Sequence, residues 1–92
     1  KYIITFFLFL LGNRYVLSEE EKEKFFIKSV SKRIKSIRLA KGIRQNEIAY
    51  RCNFDKSSYN NIEAGKRNIT LISLYKIANA LEEPICNFFK KD

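Results

Sequence analysis

The chain reads as an all-α domain of five short helices, and three observations lead there. A chain of 92 residues buries only a modest core, which favours short helices with short connections. From Ser29 onward the apolar residues recur at three and four, the helical spacing, with Gly42, Asn53, Gly65 and Pro84 as punctuation. Residues 45–64 read as two short helices hinged at Asn53-Phe54-Asp55, and the remaining helices are placed to hold that pair. The domain is expected over 18–92, with an apolar extension over 1–17.

In the extension, Tyr2 to Leu11 is almost wholly apolar. As a helix it would be about 15 Å long, half of the ~30 Å hydrocarbon thickness, so it is too short to span a bilayer. A lone Lys1 before it and Gly12-Asn13-Arg14-Tyr15 after it do not make a complete signal peptide. Its aromatic and β-branched content favours a short strand, which Gly12-Asn13 would turn back toward Tyr15-Val16-Leu17 as a hairpin. No Met precedes Lys1, so residue 1 need not be the natural start. Such an apolar strip, if ordered, is covered most simply by a second protomer.

Ser18-Glu-Glu-Glu21 is a capping box that opens the first helix, with acidic residues at the positive end of the helix dipole. Phe26, Val30, Ile34 and Ile37 recur at four, four and three as one apolar stripe, while Lys28, Lys32 and Lys35 face away. The helix either runs unbroken to Lys41 or breaks near Ser29 to Ser31, and Gly42 caps its end. In the second helix Ile48, Cys52 and the small Ala49 share a face. Asn53 then stands at a turn whose left-handed backbone Asn tolerates, and Asp55 caps a third helix with Tyr59 and Ile62 inward. Its outward residues are Lys56, Ser57, Ser58, Asn60 and Asn61. Gly65 stops it, Lys66-Arg67-Asn68 form a basic loop, and Thr70 caps a fourth helix whose inward residues are Leu71, Leu74, Ile77, Ala78 and Leu81. Pro84 opens a fifth, carrying Ile85, Phe88 and Phe89.

Two helices hinged in this way make a helix-turn-helix, and from about Ser29 to Phe89 the chain resembles the phage-repressor/Cro-like (XRE) family of that motif. The resemblance lies in Arg33-Ile-Lys-Ser-Ile-Arg-Leu-Ala-Lys-Gly-Ile-Arg-Gln45, in residues 45–64, and in Ile62-Glu-Ala-Gly-Lys-Arg-Asn68. Residues 67–81 through Phe88-Phe89 are most similar to small restriction-modification controller proteins, a pattern that chromosomal regulators share. The chain departs from the family at Asn53, where Gly is usual, at Tyr59, where a smaller aliphatic residue is usual, and at Ile69, where Pro is common. The resemblance implies a five-helix lambda-repressor-like domain. It also implies that Ser57, Asn60 and Asn61 read bases, that Gln45 clamps a phosphate, and that Arg38 and Glu63 form an ion pair between the first helix and the end of the third.

The charge agrees with a polyanionic partner. Of a formal +8, residues 29–92 hold 13 Lys and Arg against 6 Asp and Glu, so the basic character belongs to the helical domain. A recognition helix enters the major groove N-terminus first, which sets Lys56, Ser57, Asn60 and Asn61 toward base edges. Arg44, Lys66, Arg67 and Asn68 would then meet phosphates and set register. Ile85, Phe88 and Phe89 are expected at the centre of a homodimer contact, because so small a domain has little depth in which to hide adjacent phenylalanines. Two copies would read a palindromic operator on duplex DNA. The chain has no His, no Gly-rich phosphate loop and no carboxylate pair on a common polar face beyond the acidic cap at 19–23, so no enzyme, cofactor or metal is expected. Two distant cysteines, Cys52 and Cys86, make neither a disulfide framework nor a zinc site and point to a reducing, cytoplasmic setting. The competing function is a basic protein-interaction module, antitoxin-like, or a membrane-surface module that uses the apolar extension as its contact.

Overall fold

The computed structural model describes residues 17–90. They form α1 (Glu19–Ala40), α2 (Gln45–Arg51), α3 (Lys56–Glu63), α4 (Leu71–Leu81) and a 3-10 turn, η1 (Ile85–Phe89). The strand or hairpin expected within 1–17 lies outside the described residues, Leu17 apart. Among the described residues there is no strand, and no helix is long and apolar enough to cross a membrane.

The start of α1 is settled locally. Ser18 Oγ accepts from the Glu21 amide at 3.1 Å and Glu21 Oε1 accepts from the Ser18 amide at 3.0 Å, which satisfies two of the amides that a helix start leaves unpaired. The helix then runs without a break through Ser29 to Ser31. It ends on Gly42, at φ +68°, with the Gly42 amide donating to the Leu39 carbonyl and the Ile43 amide to Arg38. That double bond pattern is the Schellman closure, and it requires a left-handed residue. The other three helices close in the same way, on Asn53 (φ +58°), Gly65 (φ +72°) and Glu82 (φ +53°). Asn53 therefore does what the hinge of 45–64 requires of it, with Phe54 donating back to the Ala49 carbonyl at 2.8 Å. Glu82 takes the same conformation with no glycine to announce it.

The core gathers Val30, Ile34 and Ile37 of α1, Ile48, Ala49 and Cys52 of the α2 segment, Tyr59 and Ile62 of α3, Leu74, Ile77, Ala78 and Leu81 of α4, and Phe88. Cys52 is a buried hydrophobe. Burial pushes its thiol up, against a smaller downward pull from Lys76, so the neutral form packs. Thr70 caps α4, its Oγ1 accepting from the Ser73 amide at 3.1 Å.

Four expectations need correction. Phe26 is 61% exposed, because α1 outruns the core and its apolar stripe is buried only from Val30 onward. Leu71, at the first position of α4, is 76% exposed for the same kind of reason, since the core lies under the later turns. The fifth helix is a 3-10 turn of five residues with Pro84 just before it, too short a segment to settle into α-helical bonding. Phe88 is 1% exposed and completes the monomer core, so it is unavailable to a partner. Phe89 is 53% exposed and its ring stacks on Phe26, with centroids 6.2 Å apart, while Ile85 is half-buried against the core.

Candidate nucleic-acid interface

The site is α3 and what holds it. Tyr59 and Ile62 face the core, so the helical period turns Lys56, Ser57, Asn60 and Asn61 out to solvent, and all four are exposed. Ser58, expected outward with them, is half-buried at the flank. Asp55 stands at the N-cap, but its side chain makes no capping bond. The N-terminal end of α3 is therefore bare of side-chain ties.

The C-terminal end is the opposite. Glu63 is buried and its carboxylate accepts four hydrogen bonds. Arg38 donates from Nε to Oε2 at 2.5 Å and from Nη2 to Oε1 at 3.0 Å, the two-pronged geometry that suits guanidinium and carboxylate. Gln45 Nε2 donates to Oε1 at 3.0 Å, and the Tyr59 hydroxyl donates to Oε2 at 2.6 Å. The third arm of Arg38, Nη1, reaches the Ile43 carbonyl at 2.8 Å in the α1–α2 loop. Burial pushes the Glu63 carboxyl up, but the bonds from Arg38, Tyr59 and Gln45 outweigh it and hold it below its ordinary range. The same bond to Glu63 raises Arg38, against desolvation. Burial first, and then the bond to Glu63, raises the Tyr59 hydroxyl, so it stays a donor. Three side chains, one from each of α1, α2 and α3, thus meet on a single carboxylate through four hydrogen bonds.

The structure brings together some of the expected residues and separates others. Arg38 and Glu63 face each other as an ion pair. Gln45 is half-buried and bound to Glu63, which leaves its second amide hydrogen for a ligand. Arg44 is exposed at the N-cap of α2 and makes no capping bond there. Lys66, Arg67 and Asn68 are exposed in the loop after Gly65. Tyr59 is the member of this buried cluster that the sequence does not announce, being expected as an inward side chain only. Its spacing of four from Glu63, on one helix face, was the signal that could have found the bond. Among the described residues no group of three or more His, Cys, Asp or Glu is placed to hold a metal ion.

Comparison with known proteins gives three kinds of match. A helix-turn-helix family model matches residues 34–88. An uncharacterised HTH-type transcriptional regulator, y4dJ, of Sinorhizobium fredii is 37% identical over 54 residues, 59% of this chain and 70% of the relative. The restriction-modification controller protein C.AhdI from Aeromonas hydrophila superposes with a TM-score of 0.66 at 30% identity, covering 68% of this chain and 96% of that one. The controller protein C.Esp1396I, solved as a tetramer in complex with its natural 35 base-pair operator, gives a TM-score of 0.66 at 42% identity over 71% of this chain and 86% of that one.

Proposed function

This chain belongs to the helix-turn-helix family, and from that premise we propose how it works as a sequence-specific DNA-binding transcriptional regulator. α3 enters the major groove N-terminus first. Lys56, Ser57, Asn60 and Asn61 then meet base edges, Asn pairing with adenine through its two-sided amide and Lys donating to guanine. Arg44, Gln45, Lys66, Arg67 and Asn68 meet phosphates on either side and set the register. The observation that carries this reading is the division of α3 itself: a bare polar face at its N-terminal end, and a buried, fully engaged carboxylate at its C-terminal end. A helix held at one end and unencumbered at the other is built to be inserted.

Two copies related by a two-fold axis would place two such helices about one DNA turn apart, ~34 Å, on a palindromic operator. Phe89 and Ile85, with Phe26 stacked alongside, supply the apolar part of that contact. The tetramer of the 42% identical controller on its own operator supports assembly of this kind. The protein works in the cytoplasm, and DNA binding is its role in place of catalysis.

The test separates reading from holding. Asn61→Ala should cost roughly 1–3 kcal/mol on the preferred site, found by selection from random duplexes, and little on random DNA. Lys66→Ala should weaken both alike and make the slope of log K against log salt shallower by about one. An Asn61→Ala protein with its specificity ratio intact would remove this residue from the bases.

A further inference from the structure

We propose that Glu63 is a positioning residue for DNA binding: its carboxylate fixes the Gln45 side-chain amide in the one orientation that offers an N–H to a phosphate. The inference rests on the reading of Gln45 as a phosphate contact beside an inserted α3.

A side-chain amide has two unlike ends. Its nitrogen donates and its oxygen accepts, and a half turn about the last side-chain bond exchanges them. A phosphate only accepts, so a glutamine free to turn presents its repelling oxygen as readily as its nitrogen. Gln45 is not free to turn. Its Nε2 donates to Glu63 Oε1 at 3.0 Å, and because an ionised carboxylate has no proton to give, the nitrogen must lie on that side. The amide is planar, so placing one N–H also places the second N–H and the oxygen.

Glu63 can impose this orientation because it is itself held. Its side chain is 2% exposed, and Arg38 grips both of its oxygens while the Tyr59 hydroxyl donates to Oε2. Arg38 Nη1 also holds the Ile43 carbonyl, two residues before Gln45. The backbone that enters α2 and the side chain of its first residue are thus tied to the same ion pair. Gln45 is only half-buried, so part of its side chain stands open to a ligand. Glu63 follows the exposed Asn60 by three positions, the spacing of neighbours on one side of a helix. Gln45 therefore borders the polar face of α3. Packing of α2 on α3 would need only closeness between the two side chains; an acceptor-only partner adds direction.

The experiment has two arms, both on the full chain. In the first, NMR of the free wild-type protein should show the Gln45 side-chain amide as rigid as the backbone, unlike that of the exposed Asn46. A Gln45 amide as mobile as that of Asn46 overturns the proposal. In the second, Gln45→Ala is titrated against a random-sequence duplex in two backgrounds, wild type and Glu63→Gln. In the wild type it should weaken binding about tenfold, the worth of a hydrogen bond to a charged acceptor. The slope of log K against log salt should not change, since glutamine carries no charge to release a counterion. In the Glu63→Gln background either end of the Gln45 amide can face residue 63, so the loss should shrink to less than about threefold. Equal losses in the two backgrounds overturn the proposal, and so does a wild-type background in which Gln45→Ala costs nothing, which leaves the reading of α3 standing. Should Glu63→Gln fail to fold, the first arm decides alone. Wild-type protein that does not bind duplex DNA would overturn the reading of α3 itself, and the proposal with it.

Discussion

The two ends of α3, the helix proposed to read bases, are held by different means. At its C-terminal end four donors converge on the buried Glu63 carboxylate and Gly65 lies against α1. At its N-terminal end Asp55 makes no capping bond, and the hold comes from the Asn53 turn and from Phe54, packed against the core with Lys76 over its ring. The contrast follows from the work of the helix. An end proposed to read bases presents bare side chains to another molecule, so what positions it acts from the far end.

Removing the carboxylate should have the largest effect. Glu63→Ala strands the Arg38 charge in a site with no other acid and should cost about 3–5 kcal/mol, measured by chemical denaturation. The same group sets an acid limit. Because folding lowers the Glu63 pKa, its contribution is fully present above the ordinary value of 4.5 and is lost as pH falls below it toward the folded value. Wild type should therefore lose more stability than Glu63→Gln as pH falls through that window. Parallel pH curves for the two would show that the carboxylate is not preferentially stabilised.

An intermediate effect is expected at Tyr59. Tyr59→Phe keeps the packing and removes one bond to a charged acceptor, for about 1.5–2 kcal/mol. It also lets the Glu63 pKa rise, so acid unfolding should begin at a higher pH than in wild type. Loss of stability with no movement of the acid limb would place the effect in packing and leave the hydroxyl without a role in the charge cluster.

The smallest effect belongs to the reading end, and its sign is reversed. Asn53 holds a left-handed conformation that glycine adopts without strain, so Asn53→Gly should stabilise the fold by about 0.5–1 kcal/mol. A destabilised Asn53→Gly protein, seen in a lowered melting temperature, would mean that the Asn side chain ties down this end after all.

What could be read in the sequence was local. The capping box at Ser18 and Glu21, the hinge at Asn53, the Thr70 cap and the inward pair Tyr59 and Ile62 all depend on residues within one or two turns of each other. Phe26 and Leu71 were misplaced because periodicity tells which side of a helix is apolar and says nothing of how far along it a neighbour extends. Phe88 and Phe89 are adjacent, so a surface position for one of them was legible, but which of the two was not. Glu82 carries no side-chain signal for a left-handed backbone. The bond from Gln45 to Glu63 joins residues eighteen apart in sequence, and only the packed helices bring them together. The Arg38 and Glu63 pair is as remote, and it was expected only through family resemblance.

The family match begins at residue 34, whereas α1 begins at Glu19 and is continuous through that point. The edge of the family model's match therefore falls inside a helix. A segment cut there would lack the Ser18 capping box, the buried Val30 and Ser31, and the stretch of backbone around Lys28 that Gly65 exists to admit. The segment that the family model matches is shorter than the set of residues packed into one core, and it omits the turns of α1 from Glu19 to Arg33.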